Sequence, residues 1–121
     1  TVLLVACGEM VKPAVNAAAL LNKNGISAGV LDMYCVKPLD KESLLKASIG
    51  KKLIVTVEEH SPFGGLGSIV AQIISANNPM RVINLSLPDT PVITGTSQQV
   101  FAHYGLTDED IAKTIQNTLR M

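Results

Sequence analysis

Residues 53–74 read LIVTV, then EEHSPFGGLGS, then IVAQII. The first five residues form a strand whose hydrophobicity is too continuous to leave one face in water, as in a parallel sheet covered on both sides. A glycine-rich polar link follows. Leu66, Ile69, Val70, Ile73 and Ile74 then recur at helical spacing, a stripe that must face a sheet. One link thus separates a buried strand from a helix that packs back on it, which is half of a βαβ unit.

The same alternation extends in both directions. Upstream, Val2 to Cys7 is an apolar run ended by Gly8, and Val11, Ala14, Val15, Ala18 and Leu21 then follow at helical spacing. Pro13 is tolerated there because it falls in the first turn, where its missing N–H has no partner to lose. Gly25 closes that helix, and Ser27 to Met33 is a second strand. Pro38 and Asp40 announce a short helix carrying Leu44, Leu45 and Ile49, ended by Gly50. Downstream, Val82 to Leu87 is a fourth strand and 87–95 an irregular loop with Pro88, Pro91 and Gly95 as breakers. Thr96 with Gln99 fits a capping box for a helix that Gly105 ends, with Leu106 placed for the apolar contact. Thr107 opens a last helix with Asp108, Glu109 and Asp110 at its positive end and Ile111, Ile115 and Leu119 on one face. Strands alternating with helices give an α/β fold, a mainly parallel sheet between helical layers.

At 121 residues and 47% apolar content the chain fills one core, and residues 1–121 are expected to be a single domain. Aromatics are only 3%, so Val, Ile, Leu and Ala must do the filling. Ten basic and ten acidic residues cancel, which leaves no net field for a nucleic acid or an anionic membrane surface. No apolar stretch reaches the roughly 18 residues that cross a bilayer. Cys7 and Cys35 both adjoin apolar runs and read as buried reduced thiols, so a cytoplasmic location is expected. The strand pattern begins at Thr1 without a polar lead-in, and the chain is expected to be a fragment of a longer polypeptide.

Chemistry on an open α/β sheet collects at the C-terminal ends of the strands. The richest such place is the link Glu58, Glu59, His60, Ser61, Pro62, Phe63, Gly64, Gly65, Leu66, Gly67 and Ser68. It lacks the third glycine of a dinucleotide fingerprint and the Gly-Lys-Ser/Thr ending of a phosphate loop. Glu59 and His60 are neighbours on an extended chain, so their side chains point apart. His60 with Ser61 or Ser68 lacks the nucleophile elbow of a hydrolase. His103 falls in the last turn of a helix, where a cation is favoured. Two histidines and two cysteines without short spacing do not make a zinc site. Two readings of the link stand: Glu58 or Glu59 caps the helix amides while the glycines permit close packing, or those amides hold a small anion. No catalytic, cofactor-binding or metal-ligating residue is assigned. Glu58, Glu59, His60, Gly64, Gly65, Gly67 and Ser68 are the candidate subunit-contact or anion loop.

Three stretches resemble the C-terminal domain of the transketolase family, in the right order along the chain. They are Val30 to Asp40 (VLDMYCVKPLD), Val57 to His60 with Gly64 to Gly67, and Phe101 to Thr107 followed by Asp110 and Ile111. The resemblance implies a three-layer α/β/α sandwich with strand order 2-1-3-4 and a short fifth edge strand preceding Thr1. It is nearest to transketolase itself, including split two-subunit forms. Deoxyxylulose-phosphate synthase and the β subunits of 2-oxoacid dehydrogenases are the alternative parents. Such a parent would transfer a two-carbon ketol unit between sugar phosphates, using thiamine diphosphate and a divalent ion, Mg2+ or Ca2+, held by other domains. This domain would supply contacts in a homodimer. An anion- or nucleotide-binding regulatory module is the rival of a different class. Residues 87–95 lack the Phe-Gly found in many members of the family.

Overall fold

The computed structural model describes residues 1–33, 41–58, 65–86 and 106–120. Four strands pair in parallel in the order β2-β1-β3-β4: β1 (Val2–Ala6), β2 (Ala28–Asp32), β3 (Leu53–Val57) and β4 (Arg81–Leu85). This is the expected order. The strand bounds differ by a residue or two, and β1 stops at Ala6, just before Cys7, which is half-buried rather than fully buried. Val2 pairs with Ala28 and Leu53, and Leu53 with Arg81, so all four strands start level at one edge of the sheet. Every residue of central β1 and β3 is buried, as their unbroken hydrophobicity requires.

Helices α1 (Val11–Lys23), α2 (Lys41–Ser48), α3 (Leu66–Asn77) and α4 (Asp108–Leu119) form the outer layers. Alternation along the strands sorts two cores. Val2, Leu4, Ala6, Leu53, Val55 and Val57 meet α1 and α4. Leu3, Val5 and Ile54 meet Leu44 of α2 and Leu66, Val70 and Ile74 of α3. The architecture is the expected three-layer sandwich.

Helix phases correct three sequence readings. On α1 the buried positions are Ala14, Ala17, Ala18 and Leu21, and Val15 is half exposed. Alanines at that spacing let the helix lie close on the sheet, and the phase they set turns Val15 outward. On α3 the buried line is Leu66, Gly67, Val70 and Ile74, with Ile69 and Ile73 at its margin. Ile49 lies beyond α2 and is 70% exposed. Leu44 and Ser48, four apart, take the inward face, and a residue five beyond Leu44 is swung about 140° away from it.

The helix ends follow their chemistry. After α1, Ile26 N–H donates to Leu21 C=O at 2.9 Å and Gly25 N–H to Asn22 C=O at 3.1 Å, with Gly25 at φ +83°. These two bonds form a Schellman cap, whose left-handed residue is nearly strain-free only as glycine. At α4, Thr107 Oγ1 accepts from Asp110 N–H at 3.2 Å and donates to Asp110 Oδ2 at 2.8 Å. Thr107→Ala is expected to destabilise the fold by about 1 kcal/mol, read as a lowered thermal midpoint. The expected Thr96–Gln99 capping box, Gly105 and the 87–95 loop lie outside the described residues.

Candidate functional site

The candidate loop leaves β3 at Glu58 and enters α3 at Leu66. Glu58 is the next residue after the strand, and its N–H extends the ladder by one bond to Leu85 C=O at 3.0 Å. Its side chain is fully buried. Leu66 N–H donates to Glu58 Oε1 at 2.8 Å and Gly67 N–H to Oε2 at 2.6 Å. The N-cap residue Gly65 has no side chain to do this, and Glu58 takes its place from eight and nine residues upstream. A negative group there meets the positive end of the helix and satisfies two amides that would otherwise be buried without partners. Among the described residues no buried side-chain polar atom lacks a partner.

A second group sits beside it, under α3. Thr56 and Asn84 are paired across β3 and β4, with Thr56 Oγ1 donating to Asn84 Oδ1 at 2.8 Å. Asn84 Nδ2 donates to Ser86 Oγ at 3.4 Å. Gly67 lies directly on this amide. A Cβ built on it would stand 2.5 Å from Asn84 Cγ and 2.9 Å from Asn84 Cβ. The glycine is there because a side-chain amide occupies the space a methyl group would need.

Of the expected loop residues, the structure therefore brings Glu58 and Gly67 together, with Gly65 between them in sequence at the helix entry and Ser68 half-buried in the first turn. Glu59, His60 and Gly64 lie outside the described residues, as do His103 and Cys35. Sequence reading missed Thr56 and Asn84. The available signal was one amide within the apolar run Val82, Ile83, Asn84 and Leu85, on the strand face that also carries Val82.

Among the described residues, the α3 start at this edge is self-satisfied. The amides that an anion would use are taken by Glu58. Every described carboxylate lies on the same side: Glu9 after β1, Asp32 at the end of β2, Glu42 in the first turn of α2, Glu58, and Asp108 to Asp110 in the first turn of α4. Lys12 and Lys41, in the first turns of α1 and α2, lie at the same edge, so a phosphate approaching here would meet both signs of charge. Among the described residues no three His, Cys, Asp or Glu side chains gather as metal ligands. Among the described residues, a pyrophosphate-bearing cofactor would find the α3 amides already occupied.

The fold and this edge define a parallel α/β sandwich that seals its own helix N-terminus and presents no convergent reactive set among its described residues. The chain belongs to the family described as "Transketolase, C-terminal domain", which matches residues 1–111. It is 48% identical over 111 residues to one of the subunits of an apulose-4-phosphate transketolase from Phocaeicola vulgatus, covering 92% of this chain and 35% of that protein. It is 39% identical to a 1-deoxy-D-xylulose-5-phosphate synthase of Synechococcus sp., covering 95% of this chain and 18% of that one. Among solved structures, "Split gene transketolase, inactive beta4 tetramer" superposes with a TM-score of 0.86 at 39% identity, over 98% of this chain and 39% of the other. The chain thus spans about a third or less of the length of the curated relatives it matches. No described helix is long and apolar enough to cross a membrane.

Proposed function

We propose that residues 1–121 are one assembly domain of a longer transketolase-type enzyme, cytoplasmic and homodimeric, whose chemistry resides in other domains of the same chain or of a companion subunit. The parent transfers a two-carbon ketol unit between sugar phosphates. Thiamine diphosphate and its divalent ion are held elsewhere, and the cofactor supplies the carbanion chemistry there. The observation that carries this reading is the Glu58 carboxylate buried on the Leu66 and Gly67 amides: the helix start that follows β3, a ready-made anion site, is filled from within. What remains is a rigid stem on which the Glu58–Ser68 loop contacts a second subunit. The apulose-4-phosphate transketolase relative and the split-gene transketolase structure favour this parent.

The loop reading is tested in the full-length parent with Gly65→Arg. Gly65 has an extended backbone, φ −94° and ψ −163°, which any residue adopts, so the substitution adds bulk at the loop without forcing a left-handed backbone. Sedimentation velocity is expected to show dissociation of the dimer. An intact dimer would remove this loop from the interface.

The synthase relative supports a second parent. Assaying the full-length protein with xylulose 5-phosphate plus ribose 5-phosphate, against pyruvate as donor, separates the two. The regulatory anion module is disfavoured by the same Glu58 bonds, and micromolar binding of a nucleotide or sugar phosphate by calorimetry would restore it.

A further inference from the structure

The described carboxylates of this neutral chain are gathered by the fold. All lie at the C-terminal edge of the sheet, together with Lys12 and Lys41 in the first turns of α1 and α2. The opposite edge is basic. Lys51 and Lys52 precede β3, Arg81 opens β4, and Lys46 stands in the last turn of α2. Lys23 ends α1, and Arg120 lines a cleft with Asn24 and Ile26 at the same end. Residues 43–57 and 65–86, which build most of this edge, contain no carboxylate. The helix dipole accounts for Lys23, Lys46 and Arg120, each in or just past a last turn, but it falls off within that turn and does not account for Lys51, Lys52 or Arg81.

Between Lys46 at the end of α2 and Lys51 before β3 stands Ile49, with 70% of its surface in water. The scaffold beneath it is tied: Asn78 Nδ2 at the end of α3 donates to Ser48 Oγ at 3.1 Å, and Thr1 C=O accepts from Lys52 N–H at 2.8 Å. An exposed apolar side chain flanked by polar groups on a fixed support is compatible with the core-and-rim anatomy of a protein–protein interface.

We propose that this basic edge is a second docking surface, whose occupant is an acidic protein surface with an apolar socket for Ile49. Charge complementarity selects the partner's sign, and a second subunit has room to supply it, since about two-thirds of the transketolase relative lies outside the stretch matched here. This rests on the assembly reading above only for the partner's source, since the surface is remote from the Glu58–Ser68 loop. Duplex nucleic acid, which lysines and arginines also attract through its phosphates, is an outcome that the test separates.

The test uses the full-length enzyme with every subunit it contains, followed by sedimentation velocity from about 50 to 500 mM salt. The triple variant Lys51→Glu/Lys52→Glu/Arg81→Glu and the single variant Ile49→Asp are each expected to weaken assembly by about tenfold or more, and the triple variant to lose the salt dependence of the native protein. These side chains are exposed or half-buried, and an unchanged thermal midpoint confirms folding. Lys12→Glu/Lys113→Glu, away from this edge, is expected to assemble normally. Native assembly and salt dependence in the triple variant would overturn the proposal. So would binding of a DNA duplex or phosphatidylserine vesicles that the triple variant loses. Loss of assembly in the triple variant but not in Gly65→Arg would sink the loop reading and leave this one standing.

Discussion

Glu58→Ala is expected to lower the unfolding free energy by about 3–5 kcal/mol, measured by urea denaturation at neutral pH. The residue lies at zero exposure, and both of its oxygens are engaged, one on Leu66 N–H and one on Gly67 N–H. Removing the carboxyl leaves two buried donors with nothing to replace it, and an unmet buried donor costs more than the bond itself was worth. The N-cap cannot compensate, because Gly65 offers no side chain. Glu58→Gln keeps one acceptor oxygen but turns an NH2 toward the second donor, so about half the loss is expected. A surface carboxylate would show neither effect. A change under about 1 kcal/mol for Glu58→Ala would mean that the helix start is wet and that its amides are open to a ligand after all.

Gly67→Ala is expected to destabilise the fold by about 2–3 kcal/mol, although alanine favours a helix interior by about 1 kcal/mol. The new methyl group meets Asn84 at 2.5 Å from Cγ and 2.9 Å from Cβ. Because Cβ belongs to the strand's own framework, rotating the amide away does not clear the clash. Movement of Asn84 also strains its bond from Thr56 Oγ1 at 2.8 Å. Shortening Asn84 should therefore rescue the variant. In a double-mutant cycle, Gly67→Ala/Asn84→Ala should recover at least about 1 kcal/mol against the sum of the singles. Additivity would show that the glycine serves some purpose other than admitting Asn84.

Where a single period governs the chain, sequence is enough. Leu53–Val57 is bounded correctly because continuous hydrophobicity over five residues means burial on both faces. Thr107 caps α4 as its residue type and spacing require. The strand order agrees with the family resemblance, whereas periodicity alone says nothing about which strands are neighbours. Sequence falls short where tertiary packing chooses among equal local options. Val15 and Ala17 both sit within helical reach of the α1 stripe, and the sheet takes the smaller residue to bring the helix closer. Hydrophobicity places Ile49 on α2, yet Ser48 holds the inward position, its hydroxyl donating to Leu45 C=O at 2.7 Å.

The site divides in the same way. Capping of α3 by an acidic residue is readable, since a glycine-started helix with a Glu pair upstream has few other acceptors. Which Glu does it is open in the sequence, and the structure selects Glu58 because the residue following β3 is fixed by the ladder bond to Leu85. Asn84 is invisible as a partner of Gly67, for a contact so distant along the chain leaves no mark on local pattern. That the described carboxylates share one edge emerges only once the strands are known to run the same way.

The central claim is that this domain contributes structure and contacts while reactivity lies elsewhere. It is tested most directly by calorimetric titration of residues 1–121 with thiamine diphosphate and Mg2+. With the α3 amides held by Glu58, no saturable binding is expected. One-site binding in the micromolar range would contradict the account.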